Sequence, residues 1–317
     1  MEEVFTAKMF LCSEFRKPRQ MLAHQEYEGH VSIHDDAMAS KLGFSGAPIE
    51  GPTHFSQFVP PLHAQFGNAW FERGCISAHY QNMVVEGEEV RAFVERVPER
   101  ATSAAIYAEK RDGTQVLTGT ASVGPDYGVT ELDRRRAALR PPGPLVILSD
   151  LRMGQQGAGN PEHVRMGFDE PKGALYPFSL EDKLKVITEP CAWHTREGGA
   201  RSPWGRAVIP LEMISVLVQY TSGQSGFRTK GPAVGLFASL EIKLIAGPLF
   251  VDHPYELERE IVALSESRRT ESNWIRTRVF DGVDRRLVAE VLLNSATMKD
   301  SYAKYAEEAA ALGKVMD

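Results

Sequence analysis

The chain lacks the features that mark several protein classes. Its three cysteines, Cys12, Cys75 and Cys191, are odd in number and widely spaced, with no CxxC and no zinc-type ligand spacing. That excludes a disulfide framework and gives no reason to expect a structural metal. There is no basic excess: 36 Lys+Arg against 42 Asp+Glu leave a formal net charge of -6, so no nucleic-acid partner is expected. No apolar run reaches the roughly 18 residues of a membrane span, so no membrane partner is expected either. Met1 to Phe10 carries Glu2 and Glu3 where a leader would be basic, and the expectation is a soluble cytoplasmic protein. A dinucleotide fingerprint, a Walker phosphate loop and a Gly-x-Ser-x-Gly elbow are all missing, which leaves redox, nucleotide-driven and serine-nucleophile chemistry without support. No cofactor is expected.

What is present is ordinary globular material. Hydrophobic residues make up 43% and charged residues 25% of 317 positions, enough for about two domains with a core each. Two segments repeat the same order of elements. In the first, a short helix over Ala37 to Leu42 and a Gly/Pro loop precede Gly51-Pro52, which opens a helix carrying Phe55, Phe58 and Val59. Pro60-Pro61 is expected to stop or bend that helix. Strands follow at Cys75 to Val85, Glu89 to Val97, Ala101 to Lys110 and Gln115 to Val123, with Asp112-Gly113 as a turn. In the second, Leu211, Ile214, Leu217 and Val218 form one apolar helix face, and strands follow at Val234 to Ile245, Tyr255 to Leu264, Asn273 to Phe280 and Arg286 to Asn294. Asp281-Gly282 takes the place of Asp112-Gly113.

Between the repeats, Gly124 to Gly173 is rich in proline, glycine and charge, including Arg134-Arg135-Arg136, and reads as an extended connector over the surface. Ser301 to Lys314 reads as a surface helix.

The stretch Ile33-His34-Asp35-Asp36-Ala37-Met38-Ala39-Ser40-Lys41-Leu42-Gly43-Phe44, followed by Ala47-Pro48-Ile49-Glu50-Gly51, resembles the signature region of the MaoC-like dehydratases. In that family a loop Asp-x-Asn-Pro-x-His precedes a short helix, a Gly-Phe, and a Pro-Ile-x-His-Gly that opens a buried helix. Asp35, Ala39, Gly43-Phe44, Pro48-Ile49 and Gly51 match in register. Ile33 stands at the hydration histidine, Glu28 at its acidic partner, and Glu50 at the histidine before the helix glycine.

The resemblance implies an α+β fold, a tandem double hotdog in which each antiparallel sheet wraps a central helix. The units are an N-terminal hotdog at 1–125, a linker at 126–175, a C-terminal hotdog at 176–300 and a C-terminal helix at 301–317. It implies a hydratase or dehydratase, a hydro-lyase acting on an enoyl- or 3-hydroxyacyl-CoA or a carrier-bound thioester, working as a homodimer.

In the second half Glu189 and His194 have the family's acid-to-histidine spacing, with Ala200 and Trp204 where its alanine and Gly-Phe fall. These two are the candidate hydration dyad, with the Gly51 amide as the donor that holds developing negative charge. Glu50 and His54 are a second candidate pair: in hotdog thioesterases a carboxylate at the start of the buried helix attacks the thioester or activates water toward it. An alternative function is therefore acyl-CoA thioester hydrolysis, and another is acyl-thioester binding without turnover.

Tyr80, Gln81 and Asn82 fall on a strand that should line the pocket, with Asn82 as a substrate hydrogen-bonding candidate. Arg268 and Arg269 are candidates for the phosphates of coenzyme A or a pantetheine carrier. His30 and His34 with Asp35 and Asp36 would suit a metal, but Asp35 or Asp36 suits a helix cap equally well.

Overall fold

The computed structural model describes residues 8–27, 30–41 and 43–314; Glu28, Leu42 and the first seven residues lie outside the described residues. The strands of the first half are β1 (Phe10–Cys12), β2 (Glu26–Tyr27), β3 (His30–Val31), β4 (Gly74–Tyr80), β5 (Val90–Glu95), β6 (Ser103–Lys110) and β7 (Gln115–Val123). Those of the second are β8 (Glu162–Arg165), β9 (Gly235–Leu244), β10 (Pro254–Glu266), β11 (Thr270–Asp281) and β12 (Leu287–Met298). Apart from the small β2-β3 ribbon, they form one ten-stranded sheet in the order β1-β5-β6-β7-β4-β9-β12-β11-β10-β8, with every pair antiparallel. The order reads the same outward from its centre in both directions. β4 and β9 pair there, Cys75 opposite Lys243 and His79 opposite Ser239, and join the halves into one sheet. Strands β5, β6 and β10 alternate buried and half-buried residues, the pattern of an antiparallel sheet with one covered face.

Helix α1 (Asp36–Lys41) starts where Asp35 Oδ1 accepts the Met38 amide at 2.9 Å. Gly51–Phe58 is a 3-10 helix that runs directly into α2 (Val59–Phe66). The 3-10 helix thus ends just before Pro60-Pro61, as expected, but the chain stays helical. The two prolines occupy the first turn of α2, where an N–H would have no intrahelical partner, so they start an α-helix and mark the change from 3-10 geometry. Phe55, Phe58 and Leu62 are fully buried, each worth about 1.5–3 kcal/mol of burial. Helices α3 (Ala69–Arg73), α4 (Glu131–Ala137), α5 (Leu180–Leu184) and α6 (Arg196–Gly199) lead to α7 (Leu211–Gln219), all nine of whose residues are buried. The chain ends on α8 (Tyr305–Ala311).

The stretch expected to be an extended connector is packed instead. A Thr130/Asp133 capping box fixes α4, whose Leu132 is buried with Ala263, Trp274 and Leu292 against the sheet. The Leu132 amide donates to Ser77 Oγ at 3.0 Å. Further on, the fully buried Glu271 carboxylate accepts the amides of Val146, Ile147 and Leu148 at 2.9, 2.9 and 3.0 Å, and the Tyr305 hydroxyl at 3.0 Å. β8 then joins the sheet edge beside β10. Proline and glycine composition signalled irregular backbone correctly, but gave no sign of the side chains that anchor it. The arginines of the triple run pair with Glu131 and Asp133 on the solvent side of α4.

Candidate active site

The segment before the 3-10 helix is pinned to the sheet. The Ile49 amide donates to Val84 O at 2.6 Å, and Pro48 bridges Val85. Glu50 is the extended residue that precedes the turn, and Gly51 begins it. A Cβ on Gly51 would stand 2.9 Å from Cζ of Tyr80, so only glycine lets this ring, itself stacked on Phe55, lie against the start of the helix. The Gly51 amide is a first-turn donor with no acceptor among the described residues. Free first-turn amides favour negative charge.

The second half of the chain completes the cluster. Lys183 of α5 is buried, with Nζ 2.7 Å from Glu212 Oε1 at the start of α7 and 3.1 Å from Thr53 Oγ1. Glu50 Oε1 is buried without a hydrogen-bond partner among the described residues, although the residue as a whole keeps partial exposure, as do Gly51 and Tyr80. His54 Nδ1 and the Tyr80 hydroxyl are buried and unpartnered in the same way.

Burial pushes the Glu50 carboxyl up to about 7; the Lys183 ammonium opposes the rise and the Glu212 carboxylate adds to it. His54 is pushed down to about 4, first by burial and then by the positive charges of Lys183 and Lys110, so its imidazole is neutral at neutral pH. Burial, with Glu50 nearby, holds the Tyr80 phenol protonated well above the usual range. Lys183 stays charged because Glu212 and Glu50 outweigh its desolvation. The result is one carboxyl that exchanges its proton near neutrality, beside a free backbone donor.

The other sequence candidates lie elsewhere. Glu189 receives Arg16 at 2.8 Å, and no hydrogen bond joins it to His194 among the described residues. His194 is buried, its Nδ1 2.7 Å from Val208 O, beside a narrow apolar crevice lined by Trp70, Phe71 and Ile214. Among the described residues Glu189 and His194 are thus not hydrogen-bonded to each other: Arg16 pairs with the acid, and the Val208 carbonyl holds the imidazole through Nδ1.

The register between the halves also shifts by one. His34, not Ile33, matches His194, since its Nδ1 lies 2.7 Å from Pro48 O at the same sequence separation. Asp35 and Thr195 then match as caps on the amides of Met38 and Gly198. Asp36 accepts the Ala47 amide. Asn82 is exposed and donates to Gln115 O at 2.7 Å, while Arg268 and Arg269 are exposed at the tip of the β10-β11 hairpin.

Glu50, Gly51 and His54 thus come together with Tyr80, which sequence placed on a pocket strand, and with three residues it did not single out: Thr53, Lys183 and Glu212. Glu212 had a signal, as the one charge in the run Leu211–Gln219. Lys183 sits in an ordinary charged stretch and had none.

The ten-stranded antiparallel sheet and its paired halves place the chain among proteins of the hotdog fold. In particular, it shares its fold with a Chloroflexus aurantiacus protein described as a MaoC domain dehydratase, at a TM-score of 0.57 and 12% identity over 93% of this chain and 95% of that one. A Mycobacterium tuberculosis protein described as having a double hotdog fold matches at a TM-score of 0.56 and 13% identity, over 92% and 96% of the two chains. No family model matches the sequence, and no curated protein does.

Proposed function

We propose that the chain is a tandem double hotdog, with units at 1–125 and 176–300, that hydrates or dehydrates an acyl thioester at Glu50. The observation that carries this reading is the Glu50 carboxyl, raised to about 7 and set beside the unpaired Gly51 amide. In the hydration direction the Glu50 carboxylate takes a proton from water as the oxygen adds to C3 of the enoyl group. The electron pair of the double bond moves toward the thioester carbonyl, whose oxygen the Gly51 amide stabilises. Protonated Glu50 then returns the proton to C2, and dehydration is the reverse. A carboxyl near neutrality is present in both forms, which suits one residue serving as base and then acid. Lys183 and Glu212 hold the electrostatic setting, and Tyr80 closes the helix start.

Glu50→Gln tests this directly. Turnover of a short 2-enoyl-CoA, followed by loss of the conjugated absorbance, should fall by about 10²–10⁴-fold; unchanged turnover would remove Glu50 from the mechanism. A second reading, thioester hydrolysis, is favoured by the same Glu50-Gly51 juxtaposition, with the carboxylate attacking the carbonyl or activating water toward it. It differs in product: hydrolysis releases free thiol, which a thiol-reactive dye detects, and hydration releases none.

A further inference from the structure

A cavity of about 620 Å³ is walled by β8, the loop that follows it, the start of β10, and Tyr220 at the C-terminal end of α7. It shares no lining residue with the Glu50 cluster, whose Glu212 stands at the other end of that helix. Its volume falls in the range of small-molecule sites, about 300–1,000 Å³. Two cations meet in it. Lys172 is only 6% exposed, with Nζ 5.5 Å from the centroid of the Tyr220 ring. An ammonium has three N–H donors, and the one hydrogen-bond acceptor that Lys172 Nζ reaches among the described residues is Glu170 Oε2, at 3.3 Å. Arg165 Nη2 lies 2.8 Å from the other oxygen, Glu170 Oε1. One carboxylate thus spans both cations, an oxygen to each. The partners differ in freedom: the Glu170 side chain is 56% exposed, whereas Lys172 is buried and its amide donates to Tyr176 O at 2.9 Å. A buried ammonium needs a counter-ion in place, and the one it has is free to turn out to solvent.

We propose that this cavity binds a small organic acid with a single carboxylate and an aromatic body. The ligand carboxylate takes the place of Glu170 between Lys172 and Arg165, where the Glu170 distances already show that one such group reaches both. The exchange keeps the charge balance, because the Glu170 side chain moves into water as the ligand enters. The ring lies against Tyr220, Pro171 and Pro254 on the cavity wall. A phosphate dianion suits the place less well: Asp252 Oδ1 stands 3.8 Å from Arg165 Nη1 and repels a second negative charge. None of the groups used in the Glu50 chemistry takes part, so the site stands or falls apart from the thioester reading.

The test titrates the full chain with 3-phenylpropionate, its uncharged amide, and phenyl phosphate, following each ligand by NMR. The acid should bind about tenfold more tightly than the amide, and more tightly than the phosphate. Glu170→Gln removes the internal competitor and leaves both cations, so it should tighten binding of the acid about tenfold. Lys172→Met, which keeps the buried stem, and Arg165→Gln, at a half-exposed position, should each bring the ratio of acid to amide down to about 1. The Arg165 variant keeps the test open if the Lys172 variant does not fold. Failure of the acid to bind, equal binding of the amide, equal or tighter binding of the phosphate, weaker binding of the acid after Glu170→Gln, or a preference that survives the loss of either cation overturns the proposal.

Discussion

His34 and His194 make the same hydrogen bond in the two halves of the chain, each with Nδ1 2.7 Å from a backbone carbonyl, of Pro48 in one and of Val208 in the other. The bond fixes the tautomer, since Nδ1 must carry the proton that the carbonyl accepts, and burial lowers both imidazole pKa values. The two sites differ in their reserves. Pro48 O also accepts Gln20 Nε2 at 2.8 Å. His194→Leu should therefore cost about 1–3 kcal/mol by stranding the Val208 carbonyl, and His34→Leu clearly less. Urea unfolding of the two variants checks the order; equal losses would refute this account of the pair.

Glu50 and His54 should oppose each other in the pH dependence of stability. Glu50 has a raised folded pKa, so the folded state holds more protons and stability falls as pH rises from about 4.5 to about 7. His54 has a folded pKa lowered from 6.5 to about 4, so its contribution is complete above 6.5 and is lost as pH falls toward 4. Over the shared window the two slopes, each at most about 1.4 kcal/mol per pH unit, largely cancel. Glu50→Gln should make stability rise with pH between 4.5 and 6.5, and His54→Leu should make it fall. Melting temperatures across that range read the sign, and the same sign in both variants would contradict the assignment.

The Lys183-Glu212 pair should show strong coupling. Lys183→Met leaves the buried Glu212 carboxylate without its cation, a change that costs about 3–5 kcal/mol in comparable settings. Glu212→Gln in that background removes the stranded charge and should recover much of the loss. A double-mutant cycle by denaturant unfolding measures it; additive losses would mean the two charges do not meet as described.

Much of the fold was legible because apolar periodicity and turn residues report directly on packing. The strand expected over Gln115 to Val123 forms with those bounds, and the apolar face of Leu211, Ile214, Leu217 and Val218 forms α7. Pro60-Pro61 did mark the end of one helix, but proline composition gave no sign that a second helix, of another type, begins there. The site was only half legible. Glu50 and Gly51 announce themselves as a carboxylate next to a helix start, whereas Lys183 meets Thr53 and Glu212 only through long-range folding that no local pattern encodes. Spacing likewise proposed Glu189 and His194 together, and could not show that Arg16, 173 residues away in sequence, pairs with the acid.

Gly51→Ala should separate shape from chemistry at the helix start. The added methyl would stand 2.9 Å from Tyr80 Cζ and 3.1 Å from both Cε atoms, closer than carbon atoms pack, so the ring must swing away or the helix start must shift. Gly51 lies outside the left-handed region, so the backbone itself accepts alanine, and the cost is steric, about 1–3 kcal/mol. Enoyl-thioester turnover should fall at least about tenfold because the amide and the Glu50 carboxyl no longer share one geometry. Tyr80→Leu in the Gly51→Ala background removes the clash and should restore stability. Whether turnover returns with it decides between two roles for the ring: recovery makes Tyr80 a wall, and continued loss makes its buried hydroxyl part of the chemistry.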